Sequence, residues 1–459
     1  MSGRILADQG IEFKIPRRDP DWELYSSTYN TRIPVKPLGV ILPATAEEVV
    51  QAVRCVAGDG YKLQARSGGH SYASHSNGSG SAVVIDLRKL QDISLDADGI
   101  VRVGGGVRLG KLATAIFEQG KRALAHGTCP TVGIGGHFTH GAFGLTSRAW
   151  GLSIDQVVAM DVVLANGQML KASESENPTL FMAMRGAADS FGIVVNFYLR
   201  TQPAPQTMIN WQIDAPETMK SVESAVEAFL NIQKLVTDAS VVDRQLGILA
   251  FLTHENFSLR GTYLGDVQTL KSTILPALRR AFPQHLQEEP KVSVWEIDWL
   301  SSLVLLADGR KLDVVLDNAE RSCLYAKSAA IPRPGLSRDA LQGYFQYLLH
   351  KGASAPVNYF VGVQLYGGAD SQITANMVAA GVEFPEEGIR FMEGLHEALG
   401  SVYGASNNYA DASLPPDKAQ KMYYGEKLKL LMELKGAVDP EDVFSHPQSI
   451  RGAKPEAEE

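Results

Sequence analysis

Cysteine is scarce in this chain: three in 459 residues, Cys55, Cys129 and Cys323. So small and odd a number excludes a disulfide scaffold, and at most one bridge is possible. Spacing does not say whether Cys55 and Cys323 meet. Positive charge is also short. The 43 Lys and Arg face 51 Asp and Glu, for a net charge of −8. No Lys- or Arg-rich run offsets that balance, which argues against a broad basic face for nucleic acid. No apolar run approaches the roughly 20 residues that a membrane span requires. The start, Met1-Ser2-Gly3-Arg4-Ile5-Leu6-Ala7-Asp8, lacks the apolar core of a secretory signal. An intracellular protein is therefore expected, or a secreted one numbered after processing. Internal repeats are absent. Metal signatures are missing too: there is no H-E-x-x-H and no paired C-x-x-C. His70 and His75, or His137 and His140, supply only pairs where zinc needs three or four ligands, so no metal site is expected.

What is present is ordinary for a globular protein, with 45% hydrophobic and 20% charged residues. The length suggests two or three domains. Two glycine-rich turns stand out. The first is Arg66-Ser67-Gly68-Gly69-His70-Ser71-Tyr72, directly after the strand-like run Tyr61–Ala65. The second is Gly127-Thr128-Cys129-Pro130-Thr131-Val132-Gly133-Ile134-Gly135-Gly136-His137. Glycine lets backbone approach a ligand closely, and such turns present N–H groups to phosphate oxygens. Two of them suit a long pyrophosphate-bearing group better than a single phosphate. Neither is the G-x-G-x-x-G fingerprint. Alone, the turns indicate a nucleotide or anion site. A lone His70 reads as a turn histidine, and a lone Cys129 as a small buried hydrophobe.

Around these turns, residues 1 to about 35 are polar and read as a surface wrap. From Pro37 to about Arg200, short strands alternate with helices, as in a mixed α/β region. Gly39–Leu42 is a strand ending at Pro43, and Thr45 caps a helix with Glu47 and Glu48 in its first turn. Ala82–Asp86, Ile100–Gly104, Asp155–Leu164 and Phe191–Leu199 read as strands, and Val107–Gln119 as a helix stopped by Gly120. Gln206–Leu365 has longer strands (Met208–Ile213, Gln245–Leu252, Ser258–Leu264, Tyr359–Tyr366) with helices at Pro216–Thr237 and Gln268–Ala281. An antiparallel sheet with helices on one face is expected there. Beyond Glu386 helices return, and the charged tail reads as disordered. Asn77-Gly78-Ser79 and Asn256-Phe257-Ser258 match a glycosylation acceptor pattern that chance often produces.

Taken together, these motifs resemble the FAD-linked oxidases of the vanillyl-alcohol-oxidase superfamily, within its berberine-bridge-enzyme-like group and nearest its fungal oligosaccharide-oxidase branch. The likeness continues through Thr146–Leu152, Arg185-Gly186, Ser190–Val194, Asn408-Tyr409-Ala410-Asp411 and Asp439–Phe444. It implies an α+β fold: a two-part FAD-binding domain of the PCMH type (residues 1–205, with 401–459 returning to it) and a substrate domain (206–400) whose antiparallel sheet is covered by helices. It further implies FAD attached twice, through His70 to the 8α-methyl and through Cys129 to C6, which makes the flavin more oxidising. Arg66, Ser67, Gly68, Gly69 and Ser71 would surround the cofactor from the first turn. Gly127, Thr128, Val132, Gly133, Gly135, Gly136 and His137 would do so from the second, with Gly192, Ile193, Val194 and Asn408 adding contacts.

The same resemblance assigns Tyr409 as general base and Gln364 as its helper, where the oligosaccharide branch has a carboxylate. An unperturbed tyrosine, with pKa near 10, needs a cation or donor to serve at neutral pH. Outside the motif, Tyr409 reads as a packed tyrosine at a seam. Tyr72 is the substrate-stacking candidate; Trp299 and Tyr366 are weaker ones, each reading as core before it reads as a platform. The implied reaction takes hydride from an alcohol carbon to flavin, with dioxygen reduced to hydrogen peroxide. The expected substrate is the anomeric carbon of a mono- or oligosaccharide. A non-sugar secondary metabolite and a flavin-loaded, impaired homologue are the alternatives, and a monomer is expected. Two departures from the family pattern stand out. Between Gln372 and Phe384 the chain is short, which predicts a reduced sheet edge and a more open site. Ser406 stands where a tyrosine is common.

Overall fold

The computed structural model describes residues 6–287, 290–313, 321–331, 333–365, 373–381, 384–400 and 404–453. Strands β1 (Glu12–Lys14), β2 (Gly39–Leu42), β3 (Lys62–Arg66) and β4 (Ala82–Asp86) form a sheet ordered β1-β2-β4-β3. β2 and β3 run parallel to β4, so β2 and β3 need a crossover. Helix Ala46–Gly58 provides it. The Thr45 side chain accepts from the Glu48 N–H, and Val49, Ala52, Val53 and Val56 face the sheet.

The second sheet is antiparallel throughout. It contains β5 (Ile93–Leu95), β6 (Ile100–Gly104), β8 (Val157–Val163), β9 (Met169–Ser173) and β10 (Ile193–Arg200), in the order β5-β6-β10-β8-β9. Two short strands, β7 (Arg122–Ala123) and β11 (Gln202–Pro203), pair beside it. Gly120 does not stop the preceding helix, Leu109–Gly120. It lies inside the last turn, and Lys121 takes the left-handed C-cap at φ 51°.

A seven-stranded antiparallel sheet follows, ordered β15-β12-β14-β13-β17-β18-β16. Its strands are β12 (Met208–Asp214), β13 (Leu249–Leu252), β14 (Phe257–Tyr263), β15 (Lys291–Ile297), β16 (Cys323–Ile331), β17 (Asn358–Leu365) and β18 (Ile373–Gly381). Helices Val222–Leu235, Arg338–Gly352 and Glu386–Glu397 pack their apolar faces on one side of it, in a core with Ile209, Trp211, Val361 and Met377. The reduced sheet edge expected near residue 373 is overturned here. β18 is a full nine-residue strand inside the sheet, paired with β16 and with β17 along its length. Ile373, Ala375, Met377 and Ala379 supply its core face; two small alanines weaken a period-2 signal that is nonetheless there.

The C-terminal segment returns to the first sheet. The Leu63 N–H donates to Val443 O at 2.7 Å, and Leu63 bridges Phe444. Lys435, 0% exposed, anchors this return. Its ammonium pairs with Asp439 at 2.7 Å and donates to Ser190 O and Phe444 O. Among the described residues no helix is long and apolar enough to cross a membrane.

Candidate active site

The two glycine-rich turns meet back to back. A Cβ on Gly68 would lie 2.2 Å from the Gly133 nitrogen, and one on Gly133 would lie 2.0 Å from the Gly68 nitrogen. Only glycine on both sides allows that contact. Ser67 holds the pair: its hydroxyl donates to Gly105 O at 2.6 Å and accepts from the Gly135 N–H at 3.2 Å. A third tie comes from His137, whose Nε2 accepts the Gly127 N–H at 2.9 Å. Burial holds His137 neutral, with its pKa down at about 3.

The turns wall a cavity of about 1020 Å³, at the top of the range for ligand pockets. Ser67, Gly68, Gly69, His70, Ser71 and Tyr72 reach it from the first turn. Gly127, Thr128, Cys129, Val132, Gly133, Gly136 and His137 reach it from the second. Gln364 at the end of β17 and Asn408 and Tyr409 on the turn Asn407–Tyr409 close the far side. The Asn408 side-chain oxygen accepts from the Ala142 N–H at 2.8 Å, which ties that turn to the second glycine stretch.

Several expected residues lie elsewhere. Arg66 is 4% exposed and does not line the cavity. Its guanidinium is spent on Asp86 at 2.7 Å, Asn77 Oδ1 at 3.1 Å and Tyr25 O, so it pins the loop rather than a ligand. Gly135 packs on Ser67, where a Cβ would meet the serine Cβ at 2.7 Å. Ile193 and Val194 pair with Val163 and Val162 of β8, and Gly192 abuts Val163 O. None of the three lines the cavity. Trp299 is 2% exposed in an apolar cluster with Met208 and Leu303, its ring against Trp150, and is no substrate platform. Tyr366 lies outside the described residues. None of the three cysteines is in a disulfide. Asn77 is buried, its amide donating to Ser26 O and Val35 O, and presents no glycosylation acceptor.

Electrostatics separate the candidates. Burial, with Arg108 and Arg310 nearby, lowers His70 to about 3, so its imidazole is neutral. Among the described residues its buried Nε2 has no hydrogen-bond partner. Tyr409 moves the other way: burial first, then the proximity of Cys129, raises it above its ordinary 10. The cation expected to lower Tyr409 is not what acts on it here. A cluster that sequence reasoning did not assemble lies on the same wall. The Asp189 carboxylate lies 3.3 Å from His140 Nε2 and 3.1 Å from His446 Nε2, at ion-pair distance, while His446 stacks on His75 at 4.2 Å. Nδ1 of His140 lies 3.0 Å from Gly136 O and 2.9 Å from Thr139 Oγ1. Burial opposes protonation of His140, and Asp189 outweighs it to raise the His140 pKa. Sequence distance hid this group, because its members are scattered from residue 75 to 446. Among the described residues no three His, Cys, Asp or Glu are placed to hold a metal ion.

These residues fit a flavin dinucleotide. The cavity is large, and a Cβ on Gly136 would meet nothing within 4 Å, so backbone faces open space there. A neutral imidazole and a thiol, on turns in backbone contact, face that space.

Comparison with known proteins agrees. A family model described as "FAD binding domain" matches residues 37–173, and one described as "Berberine and berberine like" matches 407–451. A xylooligosaccharide oxidase of Thermothelomyces thermophilus is 33% identical, the alignment covering 96% of this chain and 93% of that one. A solved xylooligosaccharide oxidase from Myceliophthora thermophila, in complex with xylobiose, superposes with a TM-score of 0.91 at 30% identity over 99% of this chain and 100% of the other. A glucooligosaccharide oxidase from Acremonium strictum, described with 6-S-cysteinyl, 8α-N1-histidyl FAD, superposes equally well at 26% identity, over 99% of this chain and 100% of the other.

Proposed function

The chain belongs to the FAD-linked oxidases of the berberine-bridge-enzyme-like group, and on that footing we propose that it oxidises the anomeric carbon of a mono- or oligosaccharide. It is an FAD-dependent oxidoreductase acting on CH–OH groups. The single observation that carries the finer reading is the placement of His70, Cys129, Gln364 and Tyr409 on the wall of one cavity.

Within that cavity His70 and Cys129 would hold the cofactor covalently, and the backbone from Ser67 to Ser71, with Gly133 and Gly136, would line it. A flavin bound there would supply the electron sink for two-electron oxidation of the substrate alcohol, with dioxygen as the final acceptor and hydrogen peroxide as the product. Tyr409 Oη takes the substrate hydroxyl proton. Gln364, whose amide cannot take up a proton, orients that phenol. Tyr72, set edge-on to Tyr409 with ring centroids 5.6 Å apart, offers the sugar a flat apolar face. Because a tethered cofactor cannot leave, the cavity can stay open to a bulky saccharide.

The test is peroxide release across a panel of xylo-, cello- and chitooligosaccharides and aromatic alcohols. Turnover of at least one saccharide is expected. Turnover confined to the aromatic alcohols would replace the substrate class while keeping the chemistry.

A further inference from the structure

A reactive histidine is ordinarily held in one orientation by a hydrogen bond on the nitrogen that does not react. Among the described residues His70 lacks that device: its Nε2 is buried without a hydrogen-bond partner. It sits on a Gly68-Gly69 turn, with Gly69 at φ +72°, whose backbone alone does not set the ring plane. What touches the ring is Tyr29. The two rings stack with centroids 4.3 Å apart and planes 28° apart. Tyr29 also lies nearly parallel to Tyr72, at 6.0 Å and 10°.

Tyr29 is itself held from both sides of the cavity. Its carbonyl accepts from the Ser322 N–H at 3.0 Å. The next residue, Asn30, is 1% exposed. Its amide donates to Tyr72 O at 2.6 Å and Leu324 O at 3.0 Å and accepts from the Leu324 N–H. This N-terminal arm therefore stitches the edge strand β16 to the turn that bears His70. An aromatic ring on a stitched arm can fix the plane of an imidazole as a hydrogen bond would, and it shields the ring from water as well.

We propose that Tyr29 is the positioning residue for His70, holding the imidazole by a ring stack in the orientation needed for covalent attachment to the flavin. This rests on the covalent reading given above. In the attachment an N–H bond of His70 and a C–H bond of the flavin 8α-methyl are lost and an N–C bond forms. The two electrons and two protons leave on dioxygen as hydrogen peroxide, the oxidant and product of the oxidase reaction itself. Shielding by Tyr29 agrees with the neutral state of His70, in which a ring lone pair is free to react.

The test reads attachment rather than turnover. In a C129S parent, flavin retained by the acid-precipitated protein reports the His70 link alone. Y29L in that parent should lower retained flavin by about ten- to 100-fold, the range seen when the partner that orients an imidazole is lost. Y29F, which keeps the ring, should retain it. With Cys129 present, Y29L should still give a yellow pellet through the sulfur link, which shows that the cavity forms. Retention by C129S/Y29L equal to its parent overturns the role of Tyr29 and leaves the covalent reading standing. Loss in Y29F as complete as in Y29L overturns the stack. Loss of pellet flavin from Y29L even with Cys129 present makes Tyr29 structural and also overturns it. A colourless C129S pellet removes the His70 link and this inference with it.

Discussion

Tyr409 and His70 show burial acting in opposite senses on two groups in one cavity. Removing water disfavours charge, so the imidazole of His70 stays neutral and the phenol of Tyr409 holds its proton more tightly. The first effect leaves a nitrogen lone pair for bond formation. The second makes phenolate scarce at neutral pH. Log kcat/KM should therefore climb between pH 6 and 9, and the climb should vanish in Y409F; a profile that is flat in the parent contradicts the role. Y409F should also lose about 10²- to 10⁴-fold in kcat, with flavin per chain unchanged by absorbance. Arg66 teaches the converse lesson. Its place in the motif pointed to the cofactor, yet its strongest available partner is a buried carboxylate twenty residues on, Asp86, and no local pattern discloses that pairing.

Among the elements, the turns and the C-terminal return carry the most information. G133A forces a Cβ into the Gly68 backbone, so the turns must part. We expect overpacking of about 1–3 kcal/mol and a flavin-to-protein ratio well below the parent by absorbance; an unchanged ratio would show that the contact is dispensable. K435M leaves Asp439 buried and unpaired, which should cost about 3–5 kcal/mol in urea denaturation. In the first two sheets β2, β4, β6, β8 and β10 were legible because β-branched runs mark them plainly, and β3 because it leads into the first glycine turn. β1, β5, β9, β15, β16 and β18 were not. β18 alternates correctly, but its core face is half alanine, and β15 lies half-exposed at the sheet edge. The glycine turns and their His and Cys were legible as motifs. That they touch, and that Tyr29 and Asp189 join them, depends on pairings 40 to 260 residues long that periodicity does not encode.

For the whole molecule, the histidines set the response to acid. His75, His126 and His137 are held neutral by burial, with His75 also disfavoured by His446 and His137 by His126. Each binds a proton more readily unfolded than folded, so stability falls as pH drops below the ordinary 6.5. The loss is roughly 1.4 kcal/mol per pH unit for each such group. Asp86 and Asp189 have lowered pKa values; their stabilisation is present above the unfolded carboxylate pKa and is lost as pH falls further. His140, raised by Asp189, works the other way and stabilises only below its raised pKa. The balance predicts a lower calorimetric melting midpoint at pH 5 than at pH 7, and a midpoint that rises on acidification would contradict it. The cavity itself is a property of the whole chain, walled by Tyr29, His70, Cys129, Asp189, Gln364 and Tyr409 from six separate stretches. In the proposed arrangement one flavin ring bridges His70 and Cys129. Acid precipitation, proteolysis and mass spectrometry of the yellow protein test this directly. The account predicts that the peptides bearing His70 and Cys129 emerge joined through a single flavin. A colourless pellet, with both peptides at their unmodified masses, would contradict it.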